Sequence, residues 1–266
     1  MEHSFAVFAC GDVGLSTIRI FRDRKSQLKF VLLDKSNLWD RNELILSELE
    51  DFSDTEICYY NGDDDELTQK CRGIDLVILA YWGMVIKEPL LSAPKYGFLN
   101  QHPSMLPYGA GKHAHVWSII EESPFGATLM KINADLDKGD IVSQVPIEVS
   151  WEDTGKSLYY KGIKTQCKIL EDKKEDIFSL SFETTPQKKG GSFHYGRELE
   201  AKSKIYLDEK YTARELLNIL RAKTFEPFPG AYFEDGGKKY EVRVSIKEVK
   251  EEFKKENIDY SKIKIL

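Results

Sequence analysis

Short apolar runs of strand length alternate with helix-length segments through the first 150 residues. SFAVFAC (4–10) and KFVLLD (29–34) read as strands, with GDVGLSTIRIFRD between them as a turn into a helix. A polar helix through NELILSELED precedes a third strand at ICYY. DDDELTQKCRG then begins a helix, because the carboxylates of Asp63 to Asp65 suit a helix N-terminus. IDLVILAY is apolar almost throughout, the pattern of a central parallel strand covered on both faces. KEPLLSAPK predicts a short helix, YGFLNQH a strand and HAHVWSIIEES a helix. PFGATLMKI and DIVSQVPIEV are strand-like, and another helix begins at Asp153 or Thr154, with Leu158, Ile163, Cys167 and Leu170 near helical spacing. This βαβα rhythm predicts an α/β fold: a Rossmann-like open, mostly parallel sheet with helices on both faces.

PQKKGGSFHYG breaks the pattern, and its Lys-Lys-Gly-Gly is a turn signal. It divides the chain into a catalytic domain, 1–188, and a small C-terminal helix and β-hairpin region, 189–266. In the second part YTARELLNILRAKTF is a helix opened by a capping box, Thr212 to Glu215. FEPFPGAYF is aromatic and rich in turns, and the segment from Gly230 to Val249 reads as a hairpin turning near Asp235-Gly236-Gly237. A charged tail closes the sequence.

Composition narrows the classes. With 41% hydrophobic and 31% charged residues in 266, the chain can bury a core without disulfides or metal. A net charge of −6 gives no bulk support for a nucleic acid partner. The four cysteines, Cys10, Cys58, Cys71 and Cys167, are scattered and form no C-x-x-C pair, so reduced thiols are expected and not a zinc site or disulfide frame. The start, MEHSFAVFACGD, lacks the basic segment and apolar length of a signal peptide, and no run reaches the length of a membrane span. A cytoplasmic protein with no membrane contact is expected.

The stretch LNQHPSMLPYGAGKH, 99–113, carries the most chemistry. On a strand Asn100 and His102 share a face, Pro103 ends the pairing, and the carboxyl ends of parallel strands are where open sheets bind ligands. A buried polar pair anchoring a turn reads equally well from the local pattern. INADLDKGDIV, 132–142, follows another strand with Asp135, Asp137 and Asp140 around Gly139. An acidic surface turn is the commoner meaning of such a string, and the spacing lacks the distal Glu of a calcium loop.

Together the segments resemble the formyltransferase family that uses 10-formyltetrahydrofolate. N-x-H-P-S-x-L-P is Asn100, His102, Pro103, Ser104, Leu106 and Pro107. G-x-T-x-x-x-I-x-x-x-L-D-x-G-D-I is Gly126, Thr128, Ile132, Leu136, Asp137, Gly139, Asp140 and Ile141. The resemblance covers residues 70–165 well and implies Asn100, His102 and Asp137 as catalytic residues, with no metal. The chemistry suits them: an amine attacks an amide-like formyl group, the Asn100 amide and a protonated His102 donate to the oxyanion, and an imidazole exchanges protons near neutrality. Asp137 would hold the imidazolium or a relaying water. AYWGMVIKEPLL resembles the loop whose backbone lines the pterin pocket, which implies Met84, Val85 and Ile86 as folate contacts, with Asp135 and its neighbours closing the other side. Trp82 is read as core.

The acceptor depends on the C-terminal region. SFHYGRELE and LRAKTFEPFPGAYF resemble sugar N-formyltransferases, which act on dTDP- or UDP-linked amino-dideoxy sugars for surface polysaccharides such as the lipopolysaccharide O-antigen. That resemblance implies a homodimer formed through the hairpin. Phe225, Phe228 and Tyr232 are candidates for an apolar slot around the base. His194, Arg197, Arg221 and Lys223 are candidates for the pyrophosphate, and Lys112, His113 and His115 for sugar or phosphate. The simpler meaning of the aromatic turn is hairpin packing. One departure stands out: Ala110 occupies the place of an Arg common in the family. Phosphoribosylglycinamide and methionyl-tRNA formyltransferases remain as alternatives. Outside the family, Gly11 and Gly14 give only a partial dinucleotide fingerprint for a nicotinamide-dependent oxidoreductase. A non-catalytic sugar-nucleotide module is disfavoured by the presence of all three catalytic residues.

Overall fold

The computed structural model describes residues 2–34 and 42–249. The charged tail falls outside the described residues. The main sheet has seven strands: β1 (Phe5–Ala9), β2 (Leu28–Leu33), β3 (Glu56–Tyr59), β4 (Leu76–Ala80), β5 (Phe98–His102), β7 (Phe125–Lys131) and β8 (Ile141–Ile147). Their order is β3-β2-β1-β4-β5-β7-β8. The first five run parallel; β7 and β8 are antiparallel additions at one edge. The chain leaves β1 in one direction for β2 and β3, then returns to β4 on the other side. That reversal opens a crevice at the carboxyl ends of β1 and β4, the usual ligand position in such sheets.

Alternation along β1 separates two cores. Phe5, Val7 and Ala9 face a cluster that includes α1 (Gly11–Arg19), α2 (Asn42–Leu49) and the long α5 (Gly155–Phe178). Ala6 and Phe8 face Leu67 and Cys71 of α3 (Asp64–Cys71) and Leu90. Helices therefore cover both faces, and β1 and β4 are buried at every residue because neither face meets water. Asp63 caps α3, accepting from the N–H groups of Asp65 and Glu66. KEPLLSAPK forms only a 3-10 turn at Leu90–Ser92, since Pro89 and Pro94 remove the donors a longer helix needs. The helix opened by Thr154 continues to Phe178.

The C-terminal region adds α6 (Glu198–Ser203), α7 (Ala213–Ala222) and the antiparallel pair β10 (Ala231–Asp235) and β11 (Lys238–Val242). The capping box of Thr212 and Glu215 is formed. Helix α7 packs on α4 (Ala114–Ile120) and α5. Its Arg221 is buried and donates to the carbonyls of Ser150 (2.7 Å) and Asp153 (3.1 Å) and to Asn218 (2.9 Å). A two-residue strand, β9 (Phe193–His194), pairs in parallel with β6 (Ala110–Gly111), inside the stretch that the proline and glycine content marks as irregular. Among the described residues, no helix is long and apolar enough to cross a membrane.

Asp153 anchors the junction. Its buried carboxylate accepts from the Ser150 N–H (2.8 Å), the Ser157 hydroxyl (2.8 Å) and Lys161 (2.8 Å). Burial acts to raise its pKa, but these hydrogen bonds outweigh burial and hold it below the usual carboxylate range. The stability this gives is present above the ordinary carboxylate pKa and is lost as pH falls through the depressed value. Asp153→Ala is expected to lower the unfolding free energy at neutral pH by about 2–3 kcal/mol, read as a reduced denaturant midpoint. The difference from the parent should shrink towards pH 3.

Candidate active site

Strand β5 ends at His102, and its alternation puts Asn100 and His102 on one face. His102 is buried, and its Nε2 lies 3.1 Å from the Gly109 carbonyl and 3.8 Å from Asp137 Oδ2. A carbonyl only accepts, so Nε2 carries the proton in this arrangement. The second nitrogen, Nδ1, is then the position at which the ring can take up or give a proton. Asp137 Oδ2 also accepts from the Gly111 N–H at 2.8 Å. Asn100 is half-buried, and no side-chain hydrogen bond among the described residues engages its amide. The arrangement offers an uncommitted amide donor and an imidazole on one face of β5, with a carboxylate from the loop between β7 and β8 beside the imidazole, groups suited to an oxyanion and a migrating proton.

The loops are held by a few specific contacts. The Thr128 hydroxyl donates to the Ser104 carbonyl (2.7 Å), and Gln144 Nε2 donates to Thr128 Oγ1 (2.9 Å) and to the Leu106 carbonyl (2.8 Å), fixing the turn after His102. Asp137 sits at φ 54°, a left-handed conformation uncommon for a residue with a side chain. Gly139 lies against β7 so closely that a Cβ would overlap the Lys131 carbonyl oxygen. Gln187 Nε2 donates to the carbonyls of Asp137 (2.8 Å) and Gly139 (2.7 Å). From the other side Ala110 N–H donates to the Ser192 carbonyl (3.0 Å), Lys112 N–H to the His194 carbonyl (2.9 Å), and Gly109 N–H to the Ser192 hydroxyl (3.0 Å). Gly111, at φ 87°, could not carry a Cβ without meeting the His194 carbonyl. Tyr81, His113 and Asp137 are three of the five non-glycine residues with positive φ among the described residues, so backbone strain concentrates here.

A cleft of about 950 Å³ begins at His113, two residues beyond Gly111, and is walled by α4, α6, the end of α7 and the hairpin. Its floor is aromatic: His115 packs edge-on against Tyr159 (5.5 Å) and Phe225 (6.0 Å), and Phe225 against Phe228 (5.1 Å). Arg197, Lys223, Lys239 and Arg243 bring cations to it, against Glu200 and Glu241. Burial lowers the pKa of Lys223. The size and the mix of apolar and charged walls suit a ligand with a ring and an anionic group.

Residues 59–172 match the family described as formyl transferase, and residues 198–248 match the N-formyltransferase dimerization C-terminal domain. The chain belongs to the formyltransferase family. Methionyl-tRNA formyltransferase of Francisella philomiragia is 30% identical over 183 residues, 67% of this chain and 56% of that protein. The chain thus spans a little over half the length of the curated relatives it matches. A sugar N-formyltransferase structure from Shewanella superposes with a TM-score of 0.80 at 21% identity, over 93% of this chain and 99% of the other. A formyltransferase from Anoxybacillus kamchatkensis, in complex with UDP-4,6-dideoxy-4-formamido-L-AltNAc and tetrahydrofolate, is 27% identical with a TM-score of 0.53, covering 65% of this chain and 88% of that one.

For this formyltransferase family member, the structure brings His102 and Asp137 together with Asn100 on the same strand. Lys112 is exposed and its Nζ lies 3.3 Å from the Gly83 carbonyl, so the loop carrying Met84, Val85 and Ile86 borders the site. Within that loop Ile86 is buried in the second core, Met84 is half-buried and Val85 exposed; Trp82 packs on Phe8 and Tyr60. Asp135 is exposed, and its N–H donates to Asn133 Oδ1. His113, Arg197, Phe225, Phe228 and Tyr232 line the cleft. His194 does not line it: the ring stacks on Trp117 at 3.8 Å and faces Glu121 (2.8 Å) and Glu198 (3.0 Å). Arg221 is held in the junction described above. Ala110 is buried with Leu106 and Met130, where a guanidinium would be desolvated. Gln144, Gln187, Lys239 and Arg243 were not signalled by the sequence: the partners of the two glutamines lie 16 or more positions away along the chain, and the two cations sit in a hairpin read for its turn.

Among the described residues, no group of three or more His, Cys, Asp or Glu side chains is placed to hold a metal ion. Burial among these rings pushes the His115 pKa down to about 3, helped by His113 and Lys223. Between about pH 6.5 and 3 the unfolded chain takes up a proton that the folded chain refuses, so stability is lost as pH falls. His115→Phe is expected to flatten the fall in melting temperature between pH 6.5 and 4.

Proposed function

We propose that the protein is an N-formyltransferase that moves a formyl group from 10-formyltetrahydrofolate to the amine of a nucleotide-linked amino-dideoxy sugar. The single observation that carries this reading is the convergence of Asn100, His102 and Asp137 beside a cationic, aromatic cleft built by the C-terminal region. The acceptor amine attacks the formyl carbon, the carbonyl becomes an oxyanion, and Asn100 donates to it. The neutral His102 ring takes the proton that the amine must lose, with Asp137 favouring the imidazolium, and the same proton goes to the departing folate nitrogen. No net charge is left behind. The loop 81–89 and the segment around Asp135 form the folate side.

The cleft supports the acceptor class. Phe225, Phe228 and Tyr232 suit a base, and Arg197, Lys223 and Arg243 suit a pyrophosphate. Lys112 and His113 stand between cleft and triad, where the sugar would lie. The matched C-terminal domain supports a homodimer through the hairpin. A second reading, transfer to methionyl-tRNA, is favoured by the names of the curated relatives.

Incubation with 10-formyltetrahydrofolate and separate acceptors, followed by mass spectrometry, distinguishes them. A one-formyl gain on a dTDP- or UDP-linked 3-amino or 4-amino sugar is expected. Product only from methionyl-tRNA or glycinamide ribonucleotide would replace the sugar reading. With the productive acceptor, His102→Asn is expected to lower kcat about 10²–10⁴-fold while nucleotide affinity changes little. Retained turnover would remove His102 from the proton path.

A further inference from the structure

We infer that Gln187 is a positioning residue, which holds Asp137 in the conformation that presents its carboxylate to Gly111 and His102. The kinetic consequence rests on the function proposed above; the structural one rests on the geometry alone. A left-handed residue with a side chain persists only where its surroundings over-determine it. At Asp137 the constraint on the carboxylate side is the Gly111 N–H, and on the backbone side it is Gln187. A primary amide nitrogen has two N–H groups. Gln187 uses both on carbonyls that flank Lys138, so one side chain sets the distance across the bend. The Lys131 N–H closes the base of the loop on the Asp140 carbonyl at 2.8 Å without touching Asp137, and contacts inside the loop are longer, such as Asn133 Nδ2 to the Lys138 carbonyl at 3.3 Å.

Gln187 is well placed to act as a fixed point. Two residues earlier, Thr185 and Ile141 exchange backbone hydrogen bonds of 2.8 Å in both directions, tying the segment to the edge of the main sheet at β8. Its amide lies over the fully buried Met130. With both N–H groups engaged by the loop, Gln187 acts through Asp137.

Two near-isosteric variants test this. Gln187→Met keeps the volume and removes both donors; Gln187→Glu keeps the shape and sets an acceptor against two carbonyls. Hydrogen–deuterium exchange needs no acceptor: in either folded variant the Gly111 amide and residues 133–140 should exchange at least tenfold faster, with β1 and β4 unchanged. Unchanged exchange at Gly111 would overturn the inference. In turnover, kcat should fall tenfold or more with both KM values within about twofold, the pattern of an interaction realised in the transition state. The double variant Gln187→Met with Asp137→Asn should be no slower than Asp137→Asn alone. Losses that multiply would show a general structural role and also overturn it. An inactive Asp137→Asn beside a fully active Gln187→Met would remove only this inference. A fully active Asp137→Asn, or no turnover with any acceptor, would remove the catalytic reading while the exchange data still decide the position of Gln187.

Discussion

The carboxylate of Asp137 accepts from the Gly111 amide and stands near His102, and in doing so it joins two loops that share no strand. A hydrogen bond from a main-chain N–H to an ionised oxygen is stronger than one between neutral groups. It orients the acid, shapes the turn from Gly109 to Lys112, and sets the electrostatic environment of the imidazole together. The left-handed backbone at Asp137 and the enforced glycines at 111 and 139 are the conformational conditions for that contact. The sheet supplies the rest: β5 presents His102, β7 carries Thr128 to the turn, and the switch between β1 and β4 leaves the crevice open.

Around this contact the protein divides its labour between main chain and side chain. The loop after His102 is linked to the C-terminal region by backbone pairing of β6 with β9, and Lys112 reaches the neighbouring loop 81–89 through a carbonyl, that of Gly83. The cleft, by contrast, is defined by side chains from four elements. The polar cluster at the end of β5 is therefore set on a main-chain frame, and the cleft on a surface of side chains.

Much of this was legible in the sequence where a residue's role is local. The fully apolar runs of β1 and β4 announce themselves because both faces are covered, and Asp63, Thr154 and Thr212 announce helix starts because capping is a short-range interaction. The placement of Asn100 and His102 on one face at the end of a strand was legible from the alternation and from Pro103, while Asp137 was singled out only by the family resemblance. What could not be read depends on partners distant along the chain. Arg221 has the composition of a phosphate ligand, but the carbonyls it serves lie near residue 150. His194 has the composition of a ligand too, and Trp117, Glu121 and Glu198 surround it. Gln187 has no pattern at all. Pro89 and Pro94 carry the opposite lesson: the apolar residues between them suggested a helix that their missing donors prevent.

The pairing of β6 with β9 also sets an order of events. The N–H groups of Gly109, Ala110 and Lys112 take their partners from residues 192–194, some eighty positions further on. The sheet can close around β5 before that segment arrives, since its strand partners are complete by β8. Contacts between distant segments form late because the closure entropy must be met first. A nascent chain thus has every strand of its main sheet before it has the segment that pairs with residues 110–112 and the walls of the cleft.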